Sequence, residues 1–235
     1  MAHSEGPSLR AVPFSSTGDG LAAKLLTPRQ RQQLASLSTK VSFAARATVY
    51  HEHSQTTAVY ICAEGSLKAF RELPSGRRRI TAFLFADDLF GLAERGRYVN
   101  TVQALTPAVC YRIPIEPLQA ILRSDAELAF HFLCKMVHEM RALQLQSIVL
   151  GHRSARGRIA MFLTMLEKNM RSRAMETGMP LPMSRSDIAG YLGLSLEAVS
   201  RAGKQLVDAG VVAFSPDRVV RVIDRRRLEK LALDV

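Results

Sequence analysis

Residues 184–201 carry the pattern that most restricts the fold: Ser184-Arg185-Ser186-Asp187-Ile188-Ala189-Gly190-Tyr191-Leu192-Gly193-Leu194-Ser195-Leu196-Glu197-Ala198-Val199-Ser200-Arg201. Ser184 suits a helix N-cap, with Asp187 in the reciprocal capping-box position. Ile188, Ala189 and Leu192 share an inward face, and Ala189 is small where two helices must cross closely. Gly193 supplies the positive φ that a tight turn between helices requires. Ser195 then caps a second helix, which Val199 and Leu206 pack back against the first. A small residue, a glycine four later and a valine six beyond that is the spacing of a helix-turn-helix. The competing reading is an ordinary helical hairpin.

The second helix presents Glu197, Ser200 and Arg201 at i, i+3 and i+4, one outward face of its first turns. A guanidinium fork matches O6 and N7 of guanine, and a carboxylate accepts from the N4 amine of cytosine. Glu197 beside phosphates needs such a donor, or Arg201, to offset repulsion. The bland alternative is a solvated helix face. Downstream, Val211–Ser215 and Val219–Ile223 flank Pro216-Asp217, the pattern of a two-stranded hairpin, so a wing is expected behind the helix pair. Ser184, Ser186, Ser195, Lys204, Arg218 and Arg221 are candidate phosphate contacts, which set register without reading sequence. Arg225, Arg226, Arg227 and Lys230 extend that basic set.

Charge agrees with this placement. The chain has a net charge of +11 and a pI near 10.1, which favours a polyanionic partner, nucleic acid or an anionic membrane surface. Residues 151–235 hold fifteen Lys and Arg against nine Asp and Glu, a net of +6, so the excess concentrates around the motif. No apolar run approaches the roughly 18 residues that span a bilayer, and the first residues lack a secretory pattern. A cytoplasmic protein with no membrane partner is expected. Cys62, Cys110 and Cys134 form no closely spaced pair, which argues for free thiols rather than a disulfide framework or metal site.

The rest of the chain falls into three expected pieces. Residues 1–24 mix Ser, Gly and Pro and read as a flexible arm. Residues 25–124 open with a short helix at Thr27–Leu37. Short apolar segments follow, separated by turns such as Ala63-Glu64-Gly65 and Leu73-Pro74-Ser75-Gly76, as in an antiparallel β sandwich or barrel. Over residues 125–152, Ala129, Leu133, Met136, Met140, Leu143, Ser147 and Leu150 step alternately by four and three, a heptad stripe along one helix. Leu133, Met136, Met140, Leu143, Ser147 and Leu150 are therefore candidates for an interface with a second copy. Phe130, Phe132 and Val137 offer another apolar face, for packing on the chain's own β-domain. Gly151 closes that helix, Arg153–Leu166 reads as the next, and Arg171–Pro182 reads as a polar loop within a winged domain at 153–235. The fold class is α+β.

A β-rich N-terminal domain, a long helix and a winged helix bearing Leu196-Glu197-Ala198-Val199-Ser200-Arg201 together resemble the CRP/FNR superfamily of bacterial regulators. The likeness runs from about residue 25 to the end and is sharpest at Ile188–Arg201. There the E-x-x-S-R pattern is similar to the FNR and FixK branches rather than the CRP branch. The resemblance implies an N-terminal jelly roll of the cyclic-nucleotide-binding type, a homodimer, and an inverted TTGA(T/C) target in double-stranded DNA. Glu197, Ser200 and Arg201 would read bases, with Leu196 against a thymine methyl. Ala202-Gly203 is a departure, small and flexible within the reading helix; Gly203 costs about 1 kcal/mol of helix propensity against Ala.

The resemblance also shows what is missing. Cyclic-nucleotide-binding relatives carry a Glu after Phe-Gly and an Arg-Ser or Arg-Ala pair further on. Here Leu92 follows Phe90-Gly91, and the later stretch is Tyr98-Val99-Asn100-Thr101. The arm has none of the clustered cysteines that hold an iron–sulfur cluster in the oxygen-sensing branch. The expectation is a FixK-type activator of low-oxygen and nitrogen-related genes, working with RNA polymerase and without a cofactor or metal. A regulator gated by haem or another effector in the β-domain is the alternative. His51-Glu52-His53 raises a third reading, a cupin-like metal-binding protein with a DNA-binding tail, because alternate strand residues share a face. The carboxylate that should follow is absent until Glu64, and no phosphate loop or nucleophile elbow occurs. No enzyme is expected.

Overall fold

The computed structural model describes residues 6–11, 23–93, 95–151, 154–170 and 178–233. The remainder of the expected arm (1–5 and 12–22), His152, Arg153 and the first part of the expected polar loop (171–177) lie outside them. Two compact units divide the chain, residues 1–140 and 141–235.

The first unit is an antiparallel β roll. One sheet orders β3 (Thr39–Phe43), β10 (Ala108–Pro114), β5 (Ala58–Glu64) and β8 (Leu89–Phe90); the other orders β4 (Thr48–Tyr50), β9 (Thr101–Ala104), β6 (Leu67–Glu72) and β7 (Arg78–Leu84). Strand β5 shows why the roll closes. Ala58, Tyr60 and Cys62 enter the core between the sheets, whereas Val59 and Ile61 enter a second core with Leu34, Leu118, Leu128 and Phe132. Alternate residues point to opposite faces, so a strand apolar at every position must be covered twice. The second cover comes from α1 (Pro28–Leu37), α2 (Ile115–Ser124) and the first part of α3 (Ala126–Gly151). The tight turn between β5 and β6 needs glycine: at Gly65, φ is +85° and a Cβ would lie 2.3 Å from the Pro107 carbonyl oxygen.

Two expectations change here. Residues 6–11 are packed rather than loose: β1 (Arg10–Ala11) pairs with β2 (Ala23–Lys24), and Leu9 is fully buried beside Leu26 and Leu34. Pro7, Leu9 and Ala11 are all buried, so a few apolar residues within a Ser/Gly/Pro-rich stretch are enough to dock it. His51 and His53 do not share a strand face. They occupy a turn after β4, with His53 at φ +67°, the Ser54 hydroxyl donating to the His51 carbonyl oxygen at 2.6 Å and Glu52 engaged by Arg71. Lys135 on α3 is 1 % exposed, with Nζ 3.1 Å from Asp88 and 2.7 Å from Glu139. Burial alone would push its pKa down, but the two carboxylates hold the ammonium above the ordinary lysine value.

In the second unit, α4 (Ala155–Met170), α5 (Arg185–Leu192), α6 (Leu196–Asp208) and α7 (Arg225–Leu233) surround a three-stranded sheet ordered β11 (Met179–Pro180), β13 (Val219–Val222), β12 (Val212–Ser215). Strand β11 was not expected, since its residues read as the end of a polar loop. Met179, Leu181 and Met183 are all buried, an alternation that the intervening Pro180 and Pro182 obscure. Proline is tolerated on this edge strand because its missing N–H would face outward. No described helix is long and apolar enough to cross a membrane.

Candidate nucleic-acid interface

The helix pair forms by local capping. The Ser184 hydroxyl accepts from the Asp187 backbone N–H at 3.0 Å and donates to the Asp187 carboxylate at 2.6 Å, while that carboxylate accepts from the Ser184 backbone N–H at 3.0 Å. Gly193 ends α5 at φ 62°, ψ 38°, in the left-handed region. Ser195 caps α6 by accepting from the Ala198 backbone N–H at 3.1 Å. One side of α6 buries Val199, Ala202 and Leu206; Ile188, Ala189 and Leu192 are buried on α5.

The opposite side of α6 carries the expected base-reading set. Leu196, Glu197 and Arg201 are exposed and Ser200 is half-buried. The Glu197 carboxylate sits below the ordinary range because it accepts from its own backbone amide, then from Ser195, with Arg201 one turn away adding attraction. Each of Glu197 and Arg201 offsets the other's cost near phosphate or base.

The candidate phosphate contacts do not form one set. Ser186 and Lys204 are exposed and line, with half-buried Ser200 and with Arg218, a groove between α6 and the wing. Ser184 lines it too, but its hydroxyl is committed to Asp187. Ser195 is an N-cap rather than a free hydroxyl. Arg218, at φ +60° in the hairpin turn, donates Nη1 to the Pro182 carbonyl oxygen at 3.2 Å. Arg221 is exposed on β13 and does not line the groove. Two of the additional arginines hold the fold together: Arg225 pairs with Glu167, and Arg227 Nη1 donates to the Ala209 carbonyl oxygen at 2.9 Å.

Sequence reasoning missed Arg158. Its Nη1 on α4 donates to the carbonyl oxygens of Leu192 at 3.0 Å and Gly193 at 3.4 Å, closing the exposed end of α5 from outside the motif. It also missed Arg185, exposed in the first turn of α5. Nothing local to Arg158 signals a contact 34 positions away.

Along α3, Leu133, Met140 and Leu143 are 53 %, 53 % and 57 % exposed. Ser147 is also exposed, while Met136 and Leu150 are half-buried. Phe130, assigned from the sequence to the face that packs on the β roll, is exposed instead; Leu128 and Phe132 fill that role. Phe130 stands two residues, about 200° of helical rotation, from each of them.

In the β roll, Phe90 and Tyr98, from the two segments that the resemblance ties to a cyclic nucleotide, sit in a buried aromatic cluster. Tyr98 stacks on Tyr50 at 3.8 Å and 12°, Tyr60 on Phe90 at 5.4 Å and 15°, and the Tyr98 hydroxyl donates to the Ala58 carbonyl oxygen at 2.7 Å. Burial pushes the Tyr50 hydroxyl far above the ordinary tyrosine value. These mutually packed rings do not fit an anionic cyclic nucleotide.

Comparison with known proteins gives consistent matches. A cyclic nucleotide-binding domain model matches residues 40–125 and a Crp-like helix-turn-helix domain model matches residues 157–231. The nitrogen fixation regulation protein FixK of Bradyrhizobium diazoefficiens is 33 % identical over 204 residues, 83 % of this chain and 83 % of that protein. FixK of Azorhizobium caulinodans is 30 % identical over 220 residues, 93 % of this chain and 88 % of its own length. The solved structure of FixK2 from Bradyrhizobium japonicum superposes with a TM-score of 0.77 at 31 % identity, covering 83 % of this chain and 96 % of that one. These relatives are regulators and not enzymes. A cyclic-nucleotide-binding-type β roll, a long helix and a winged helix-turn-helix, with this identity across most of the chain, show that it belongs to the FixK-like branch of the CRP/FNR family of transcription regulators.

Proposed function

We propose that the protein binds a palindromic DNA site as a homodimer and activates transcription with RNA polymerase, in the cytoplasm, at genes of low-oxygen and nitrogen metabolism. The observation that carries this reading is the division of α6. Val199, Ala202 and Leu206 are buried on one side, while Leu196, Glu197 and Arg201 are exposed with Ser200 at their edge on the other. A helix held from behind and charged in front is what the major groove admits. Ser186, Lys204 and Arg221 are the phosphate contacts, with Arg218 able to add a second donor from its fork.

The exposed Leu133, Met140 and Leu143 support dimerisation, since large apolar side chains in a helical stripe gain most from pairing with a second copy. Met136, Ser147 and Leu150 complete that stripe. Two four-base TTGA half-sites one helical turn apart make a site of about 14 base pairs. The relatives' names, nitrogen fixation regulation proteins among them, favour the gene class. The packed tyrosines favour action without a cyclic nucleotide.

Selection of bound sequences from a random duplex pool by the purified full chain tests the reading. Enrichment of an inverted TTGA repeat, by a species of twice the chain's mass in sedimentation, is expected. Enrichment without two-fold symmetry, or a monomer bound to its site, would overturn it.

A further inference from the structure

The groove between α6 and the wing is large and mostly apolar. Its volume is about 930 Å³, within the range of small-molecule sites, roughly 300–1,000 Å³. Ile159, Phe162 and Leu163 of α4 form its floor. Val207 and Phe214 line its walls while remaining 41 % and 46 % exposed. The rim is cationic: Arg185 and Lys204 both line it, and among the described residues neither has an ion-pair partner.

Gly203 sits on the groove-facing side of α6, where glycine costs about 1 kcal/mol of helix propensity. Packing does not demand it. A Cβ there would meet only Phe214, at 3.9 Å, an ordinary contact. What the missing side chain does is keep the wall beside Phe214 open. An apolar trough, a charged rim and a residue that leaves the trough unfilled together define a ligand chemistry. The tail must be apolar and slender, and the head must be a single anion.

We propose that this groove binds an amphipathic carboxylate, a medium-chain fatty acid or its close equivalent. The chain lies between Val207 and Phe214, and the carboxylate is met by Arg185 and Lys204. A carboxylate paired with two cations at an open rim keeps its hydration while the tail leaves water, so apolar burial drives binding and charge sets orientation. Occupancy also blocks DNA, because Lys204 and Ser200 lie on the helix that reads it. That second step rests on the proposed DNA reading; the binding step does not. By linkage, bound DNA weakens the carboxylate by the same factor.

The test uses the full chain and decanoate, with decylammonium as a charge-reversed control. Equilibrium dialysis should give one saturable decanoate site per chain and no matching site for decylammonium. Gly203→Leu, which fills the trough, should weaken decanoate by about tenfold or more, the factor that about 1.4 kcal/mol represents. Val207→Glu, which places a carboxylate in the wall that the tail lies against, should abolish decanoate binding. Absent saturation, equal binding of both amphiphiles, or decanoate binding unchanged in a folded Val207→Glu chain would overturn the site. Decanoate should also raise the apparent Kd for the selected DNA in proportion to occupancy. Decanoate bound with DNA affinity unchanged would uphold the site and overturn the competition. If no DNA sequence is selected without decanoate, the DNA reading fails while the dialysis result stands.

Discussion

Arg158 donates Nη1 to the carbonyl oxygen of Leu192 at 3.0 Å, so that α4 supplies the cation at the negative end of α5. The same nitrogen reaches the Gly193 oxygen. A helix C-terminus carries unsatisfied carbonyls and partial negative charge, and in a helix-turn-helix that end is also the hinge that aims the reading helix. Arg158→Met should lower stability by about 1–2 kcal/mol, the net value of a charged hydrogen bond discounted for partial exposure. Arg158→Lys should lose less. Urea unfolding followed by circular dichroism measures both, and an unshifted midpoint for the methionine variant would show that the clasp contributes nothing.

Gly193 makes the neighbouring prediction. Its φ of 62° and ψ of 38° lie where a Cβ crowds the following carbonyl, a cost of about 1–2 kcal/mol for most residues. Gly193→Ala should reduce thermal stability by that amount, and Gly193→Asn by less, since asparagine tolerates this conformation. Equal losses for the two variants would point to contact rather than backbone conformation as the cause.

Alkaline pH should loosen the second unit through Tyr191. Burial against α4, where its ring meets Phe162 at 5.6 Å, pushes its hydroxyl pKa from 10.0 up to about 12. A group whose folded pKa is raised contributes its stability in full below the unfolded value and loses it as pH rises toward the folded value. Between those limits the loss approaches about 1.4 kcal/mol per pH unit. Tyr191→Phe removes the titration. Comparing urea midpoints near pH 9.5 and near pH 11.5 should therefore show a smaller decline for the phenylalanine chain. Parallel declines would assign the alkaline transition to other groups.

Arg201 and Lys204, neighbours on α6, should separate reading from attraction. Arg201→Ala should cost about 1–3 kcal/mol on the selected site and relax discrimination at one base pair per half-site. Lys204→Ala should weaken selected and random DNA alike and reduce the salt dependence by about one counterion. Titrations at two ionic strengths distinguish them. Equal loss on both DNAs for Arg201→Ala would remove it from base recognition.

The parts of this molecule that were legible in the chain are those whose chemistry closes over a few residues. Ser184 with Asp187, Ser195 with the Ala198 N–H, and the left-handed Gly193 all act within three or four positions. The α5–turn–α6 unit is therefore written into eighteen consecutive residues. The stripe on α3 was readable for the same reason: a helical repeat labels a face directly.

What stayed hidden needs partners far apart. Strand β11 pairs with β13 across some forty positions, Met179 opposite Val220; Arg158 finds Leu192; Arg225 finds Glu167; Tyr50 stacks on Tyr98. Closing such loops costs nearly the same entropy for many alternative partners, so composition cannot choose among them. The choice belongs to shape: which apolar faces remain uncovered after the local elements form, and which charged side chain then stands beside an unsatisfied carbonyl. The apolar trough beside Gly203 is of this second kind, since its floor, walls and rim come from four elements that share no local pattern.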